Sequence, residues 1–156
     1  MKRKLGMAAM LVVALAVSGY AQKKPDLSGT WTVDTEKSGA APAPGGAGRG
    51  FMGMTGPITI MQTVDSVSIE SQGRQGAMTR TYKLDGTETE IQMGPMTAKG
   101  KAKWDGDKLV IETTRRAQAG TPVTTSATYS LNADGTLTVV TRTPQGERKN
   151  VYKKTS

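Results

Sequence analysis

From Pro57 to the end of the chain, apolar and polar side chains alternate with a period of two, in segments of six to ten residues. That period marks strands with one covered and one wetted face. In the clearest run, Met96, Ala98, Gly100, Ala102 and Trp104 fall on one face, and Thr97, Lys99, Lys101 and Lys103 on the other. The same pattern predicts strands over 29–34, 57–64, 66–71, 77–84, 88–93, 108–116, 122–131, 136–143 and 148–154. Asp85-Gly86, Asp105-Gly106 and Asp134-Gly135 separate several of them. Such pairs are hairpin signals, because glycine takes the positive φ that a tight turn requires, so consecutive strands are expected to pair antiparallel. No stretch after residue 22 carries a helical period, and no gap between strands is long enough for a parallel crossover helix. The expected class is all-β: an antiparallel up-and-down meander of about 8 to 10 strands. Closing it into a barrel removes both exposed edges, and an open β-sandwich is the alternative.

The N-terminus is built differently. Lys2-Arg3-Lys4 precede an apolar stretch from Met7 to Val17, followed by Ser18-Gly19-Tyr20-Ala21 and the polar Gln22-Lys23-Lys24. This order predicts a cleavable signal peptide over 1–21 and a periplasmic or secreted protein. The apolar run is shorter than the roughly 20 residues a membrane helix needs, so no integral membrane anchor is expected. Residues 22–156 then form a single domain, interrupted at 39–56 by GAAPAPGGAGRGFMGMTG, too rich in Gly and Pro for a helix or a central strand. This segment reads as a flexible loop. Its Arg49, Phe51, Met52 and Met54 suggest either a lid or a plain surface loop.

Composition excludes several functions. With no Cys the domain has no disulfide and must rest on packing and its hydrogen-bond ladder, and with no His either, a zinc site is not expected. The same absences remove the commonest general base and the thiol nucleophile, so no enzyme activity and no cofactor are expected. Of the 21 Lys and Arg residues three lie in the leader, which leaves 18 against 13 acids, a net charge of +5. A single-strand nucleic-acid binder would interleave aromatic platforms with its cations, and aromatics are scarce here, so no nucleic acid is expected.

Ser28-Gly29-Thr30-Trp31 on the first strand of a meander resembles the start of lipocalins and related calycin barrels. The wider phrases DLSGTWTVDTEKS from Asp26 and AKWDGDKLVIE from Ala102 are similar to small secreted bacterial lipocalin-like proteins of largely unassigned function. The resemblance implies that Gly29 lets the chain bend close to the barrel floor and that Trp31 plugs it. It also implies an arginine over that indole, with Arg142 and Arg148 as candidates.

Arg80 and Tyr82 share a strand face with Met78 and Leu84. Arg-x-Tyr resembles the carboxylate grip of fatty-acid-binding barrels, although there the pair lies on the last strand; the other reading is a structural arginine paired to a Glu or reaching solvent. Arg115 reads as the wet end of its strand, or as a second inward cation. Met61, Met78, Met93 and Met96 are soft side chains suited to a cavity or to ordinary core filling, and the same choice applies to Trp104 and Tyr129. Lys99, Lys101 and Lys103 read as a solvated face. The expected function is therefore a monomer binding a small, mostly apolar or amphipathic molecule in its interior, with Arg80, Tyr82, Met78, Met93, Trp104 and Tyr129 as candidate ligand contacts. The alternative is a non-catalytic structural or interaction domain with a filled core.

Overall fold

A computed structural model describes residues 24–38, 56–73, 76–93, 96–116 and 120–156. The leader and the lid candidates Arg49, Phe51, Met52 and Met54 lie outside the described residues. The ten strands are β1 (Gly29–Val33), β2 (Ile58–Gln62), β3 (Ser66–Gly73), β4 (Gly76–Lys83), β5 (Thr89–Met93), β6 (Met96–Asp105), β7 (Lys108–Arg116), β8 (Pro122–Leu131), β9 (Leu137–Thr143) and β10 (Gly146–Lys154). They form one antiparallel sheet in the order β4-β3-β2-β1-β10-β9-β8-β7-β6-β5. This is the predicted up-and-down meander, and it curls into a nearly closed barrel rather than an open sandwich. Gly106 at φ 63° and Gly135 at φ 79° take the left-handed conformation their turns require.

The chain's first and last strands are neighbours: Trp31 lies opposite Lys154 and Val33 opposite Tyr152. The ladder runs on to the last residue, since Thr30 N donates to Ser156 O (2.9 Å) and Thr155 N to Thr30 O (2.7 Å). One expected pairing is missing. β4 and β5 flank Asp85-Gly86 yet share no ladder, and only an isolated bridge from Asp85 to Lys103, with Gly86 N donating to Ala102 O (3.0 Å), ties the turn to β6. The sheet therefore breaks at a β4–β5 seam, pinned at the turn end.

Side chains fill the seam where backbone does not. A Cβ on Gly100 of β6 would sit 2.6 Å from Cε1 of Tyr82 on β4 and would overlap Ile91 Cδ1 on β5. Glycine at 100 thus lets Tyr82 reach across the break. Gly100→Ala is expected to cost about 1–3 kcal/mol through this overpacking. Amide exchange over 89–93 should rise more than exchange in β8 and β9; an unchanged urea midpoint would refute the tight fit.

Inward faces carry the core, including Ile58, Ile60, Val67, Leu109 and Leu137, and outward faces carry polar pairs such as Ser68–Thr81 (2.8 Å) and Thr114–Thr124 (2.9 Å). One end of the barrel is sealed by the entry segment. Leu27 is fully buried; its amide donates to Gln62 Oε1 (3.1 Å) and its carbonyl accepts from Trp31 Nε1 (2.9 Å). Trp31, the plug that the motif implies, is buried at this end, with 1% of its surface exposed. Its cationic cover is neither Arg142 nor Arg148: Lys154 Nζ stands over the indole, 5.6 Å from its centroid. Arg142 is exposed and pairs with Glu147 (2.6 Å), while Arg148 shares the inward face of β10 with Asn150 and Tyr152, on the side away from the floor. Gly29, at φ 136°, makes room for that cover, since a Cβ there would come within 2.6 Å of Lys154 Cε and Ser156 O.

Candidate functional site

Alternation along β4 turns Tyr82, Arg80 and Met78 inward, in order from the floor toward the opposite end. Arg80 is 5% exposed, and Arg80 Nη2 donates to Ser71 Oγ on β3 (2.9 Å). Its Nε is buried without an acceptor, and no carboxylate pairs with it among the described residues. Arginine cannot escape burial by losing its proton, so an uncompensated interior guanidinium is costly to the fold. Neither bland reading holds: Arg80 is not paired to a Glu and does not reach solvent.

A small cavity of about 10 Å³ adjoins this group, lined chiefly by Arg80, Tyr82, Thr113, Thr125, Ala127 and Tyr129. It has room for about one water molecule. Arg80, Tyr82 and Tyr129, three of the candidate contacts, therefore meet at one place. The other three do not line it: Met93 is buried, and Met78 and Trp104 are half-buried against the core. Met61 and Met96 are outside any interior site, at 53% and 46% exposed. Arg115, read either as the wet end of its strand or as a second inward cation, is half-buried on the inward face of β7, with its Nε out of solvent. Threonines 113 and 125 were missed, although both fall on the inward face that alternation assigns to β7 and β8.

Burial pushes the Tyr129 phenol well above the ordinary tyrosine value; nearby Tyr82 adds to this and Arg80 opposes it. The phenol is neutral at physiological pH and able to donate to an oxyanion. The outer surface is ordinary by comparison. Lys99 pairs with Glu88 (2.8 Å) and Lys101 with Glu112 (2.9 Å), so two of the three lysines in the β6 row are neutralised in solvent, where such pairs add little stability.

These environments set the pH range of the fold. The Thr136 hydroxyl and amide, with Lys37, hold Asp134 below the usual carboxylate range; Thr87 does the same for Asp85, and Ser28 for Asp26. A depressed carboxylate contributes stability above its unfolded value near 4, which is lost as pH falls through the folded value. Burial raises Tyr129 and Tyr152, and ion pairs raise Lys37, Lys99 and Lys101, so their contributions hold at neutral pH and are lost as pH rises above about 10. No His titrates between. The melting temperature is expected to be flat from about pH 5 to about pH 9 and to fall on both sides. A step between pH 6 and 8 in a thermal melt series would contradict this.

No family model matches the chain, and no curated protein does. Solved structures do. The REP1-NXSQ fatty acid transporter superposes with a TM-score of 0.59 at 16% identity, over 83% of this chain and 96% of that one. Human cRBP IV superposes with a TM-score of 0.58 at 18% identity, over 83% of this chain and 98% of that one. The likeness is one of fold: a calycin-type barrel, the type that Gly29-Thr30-Trp31 implied.

Proposed function

We propose that this chain is an exported, monomeric barrel that holds a small, acidic, partly apolar molecule in its interior, with Arg80 receiving the acid between Tyr82 and Tyr129. The observation that carries this reading is the buried Arg80 guanidinium beside a cavity, without an internal counter-ion. An anion from outside supplies the missing charge, and charge-assisted bonds of this kind are the strong ones. One fold neighbour, a fatty acid transporter, supports an acidic amphipath. Binding rather than catalysis is the role, in keeping with a chain that has neither His nor Cys. Export rests on the basic, apolar and small-residue order of 1–21, and N-terminal sequencing of the protein from its host should begin at Gln22.

The cavity of about 10 Å³ favours the rival reading, a filled-core interaction domain. Ligand sites for drug-sized molecules are typically on the order of 300–1,000 Å³, so a ligand must displace side chains as it enters. Met78 and Met93, flexible and on the inward faces of β4 and β5, are the side chains suited to yield.

Native mass spectrometry of protein purified from its own host decides between the two. The expected result is a co-purified acidic small molecule, with at least a tenfold loss of affinity on Arg80→Ala. A clean apo mass, together with no binding of an anionic fluorescent amphipath, would leave the filled-core domain.

A further inference from the structure

Among the described residues, Arg80 is the one charged group that lines the interior cavity, and the fold gives it nothing of opposite sign. All 13 Asp and Glu residues are described, and none of them borders that cavity. The guanidinium is 5% exposed; its Nη2 is spent on the Ser71 hydroxyl, and its Nε is buried without an acceptor. Because arginine keeps its proton at any pH the fold survives, neutralisation is no way out of the cost of burial. The missing charge has to come from outside the chain.

Size decides what can bring it without moving side chains. At about 10 Å³ the cavity takes one particle about as large as a water molecule. Carboxylates, sulfate and phosphate exceed that, whereas a monatomic halide is only slightly larger than water. The walls suit such an ion. Thr113 on β7 and Thr125 on β8 are direct ladder partners, 2% and 4% exposed, and each brings a hydroxyl that can rotate its proton toward an anion. Ile69, Ile111 and Ala127 complete the lining with no charge to repel it, and in apolar surroundings its attraction to a guanidinium is strengthened. A halide gives up its hydration on entering, and a fixed cation with several donors is what offsets that loss.

We infer that the closed barrel binds a single chloride ion against Arg80, held by the guanidinium and by the hydroxyls of Thr113 and Thr125; this rests on the reading of Arg80 as the receiver of an anion. The halide and the acid group of an organic ligand then contend for one guanidinium, so a chloride leaves for each ligand that enters. Chloride thereby sets the apparent affinity for the ligand. At roughly ten times the chloride Kd, an organic acid is held about tenfold more weakly than in its absence.

Thermal melts of the purified protein in sodium chloride and in sodium gluconate of equal ionic strength test this. The melting temperature is expected to rise with chloride and saturate, by about 3–6 °C at roughly ten times Kd, with bromide acting alike and sulfate behaving as gluconate does. Crystals grown in bromide should show one anomalous scatterer within hydrogen-bonding reach of Arg80. Arg80→Met should abolish both signals, and Thr125→Val, which removes one hydroxyl donor, should weaken chloride several-fold. An anionic naphthalene-sulfonate fluorophore titrated in the two salts reads the competition, and it should bind about tenfold more weakly in the chloride. Equal melting temperatures in chloride and gluconate, with no bromide at Arg80, would overturn the halide site, while Arg80-dependent fluorophore binding would keep the organic-acid reading standing. Halide binding with no fluorophore binding would do the reverse. If neither binds, Arg80 receives no anion and both readings fall. The wild-type salt comparison needs no variant, so a poorly folded Arg80→Met would not rescue a failed shift.

Discussion

Trp31→Ala is expected to destabilise the protein by about 3–5 kcal/mol, because it removes the largest fully buried side chain from the barrel floor. Three losses coincide there. The indole's burial goes, Leu27 O loses the Nε1 donor held at 2.9 Å, and Lys154 loses the ring beneath its ammonium. An exposed cation–π contact adds only about 0.5–1 kcal/mol, so packing dominates. Domains of this size are stable by about 5–15 kcal/mol, and this one has no disulfide to limit the damage, so a large share of its stability is at stake. Urea unfolding followed by far-UV circular dichroism measures the change. A loss under about 1 kcal/mol would mean that Leu27 and the β1–β10 ladder seal the floor without the indole.

Arg80→Met should move stability the other way. Replacing a buried, uncompensated charge by an apolar side chain of similar length is expected to stabilise the ligand-free protein by about 1–3 kcal/mol while abolishing anion binding. The Ser71 hydroxyl loses its donor, but it is a rotor that can redirect to backbone, which keeps the offset small. Opposite signs for stability and binding at one position are the signature of a residue retained for function. If Arg80→Met instead loses more than about 1 kcal/mol, the guanidinium is a structural support of β3 and β4.

Strands could be read from the sequence because alternation is a local signal, and the Arg80–Tyr82 face followed from it directly. What depended on distant register could not. The cation over Trp31 comes from Lys154, 123 residues later, and only the pairing of β1 with β10 places it there. Nor did anything local mark the seam, since Asp85-Gly86 is as good a hairpin signal as Asp105-Gly106, and the difference lies in Tyr82 filling the space that Gly100 leaves open on a third strand. For Arg115 the sequence leaves both a wet strand end and an inward cation open, because a charged residue beside a turn is normally solvated and only the strand's neighbours settle which way it faces.

The β4–β5 seam has a consequence for connectivity. The hydrogen-bonded sheet begins with β4 and ends with β5, whereas the first and last strands in sequence, β1 and β10, are paired in mid-sheet. A circular permutant of the strand region, with β10 linked to β1 and the chain opened between 84 and 88, would present its strands in spatial order from one edge of the sheet to the other. Every ladder would then form between sequence neighbours. The native order, by contrast, leaves the closure of first strand on last until the whole chain is available, and loop-closure entropy makes that long-range step the slow one.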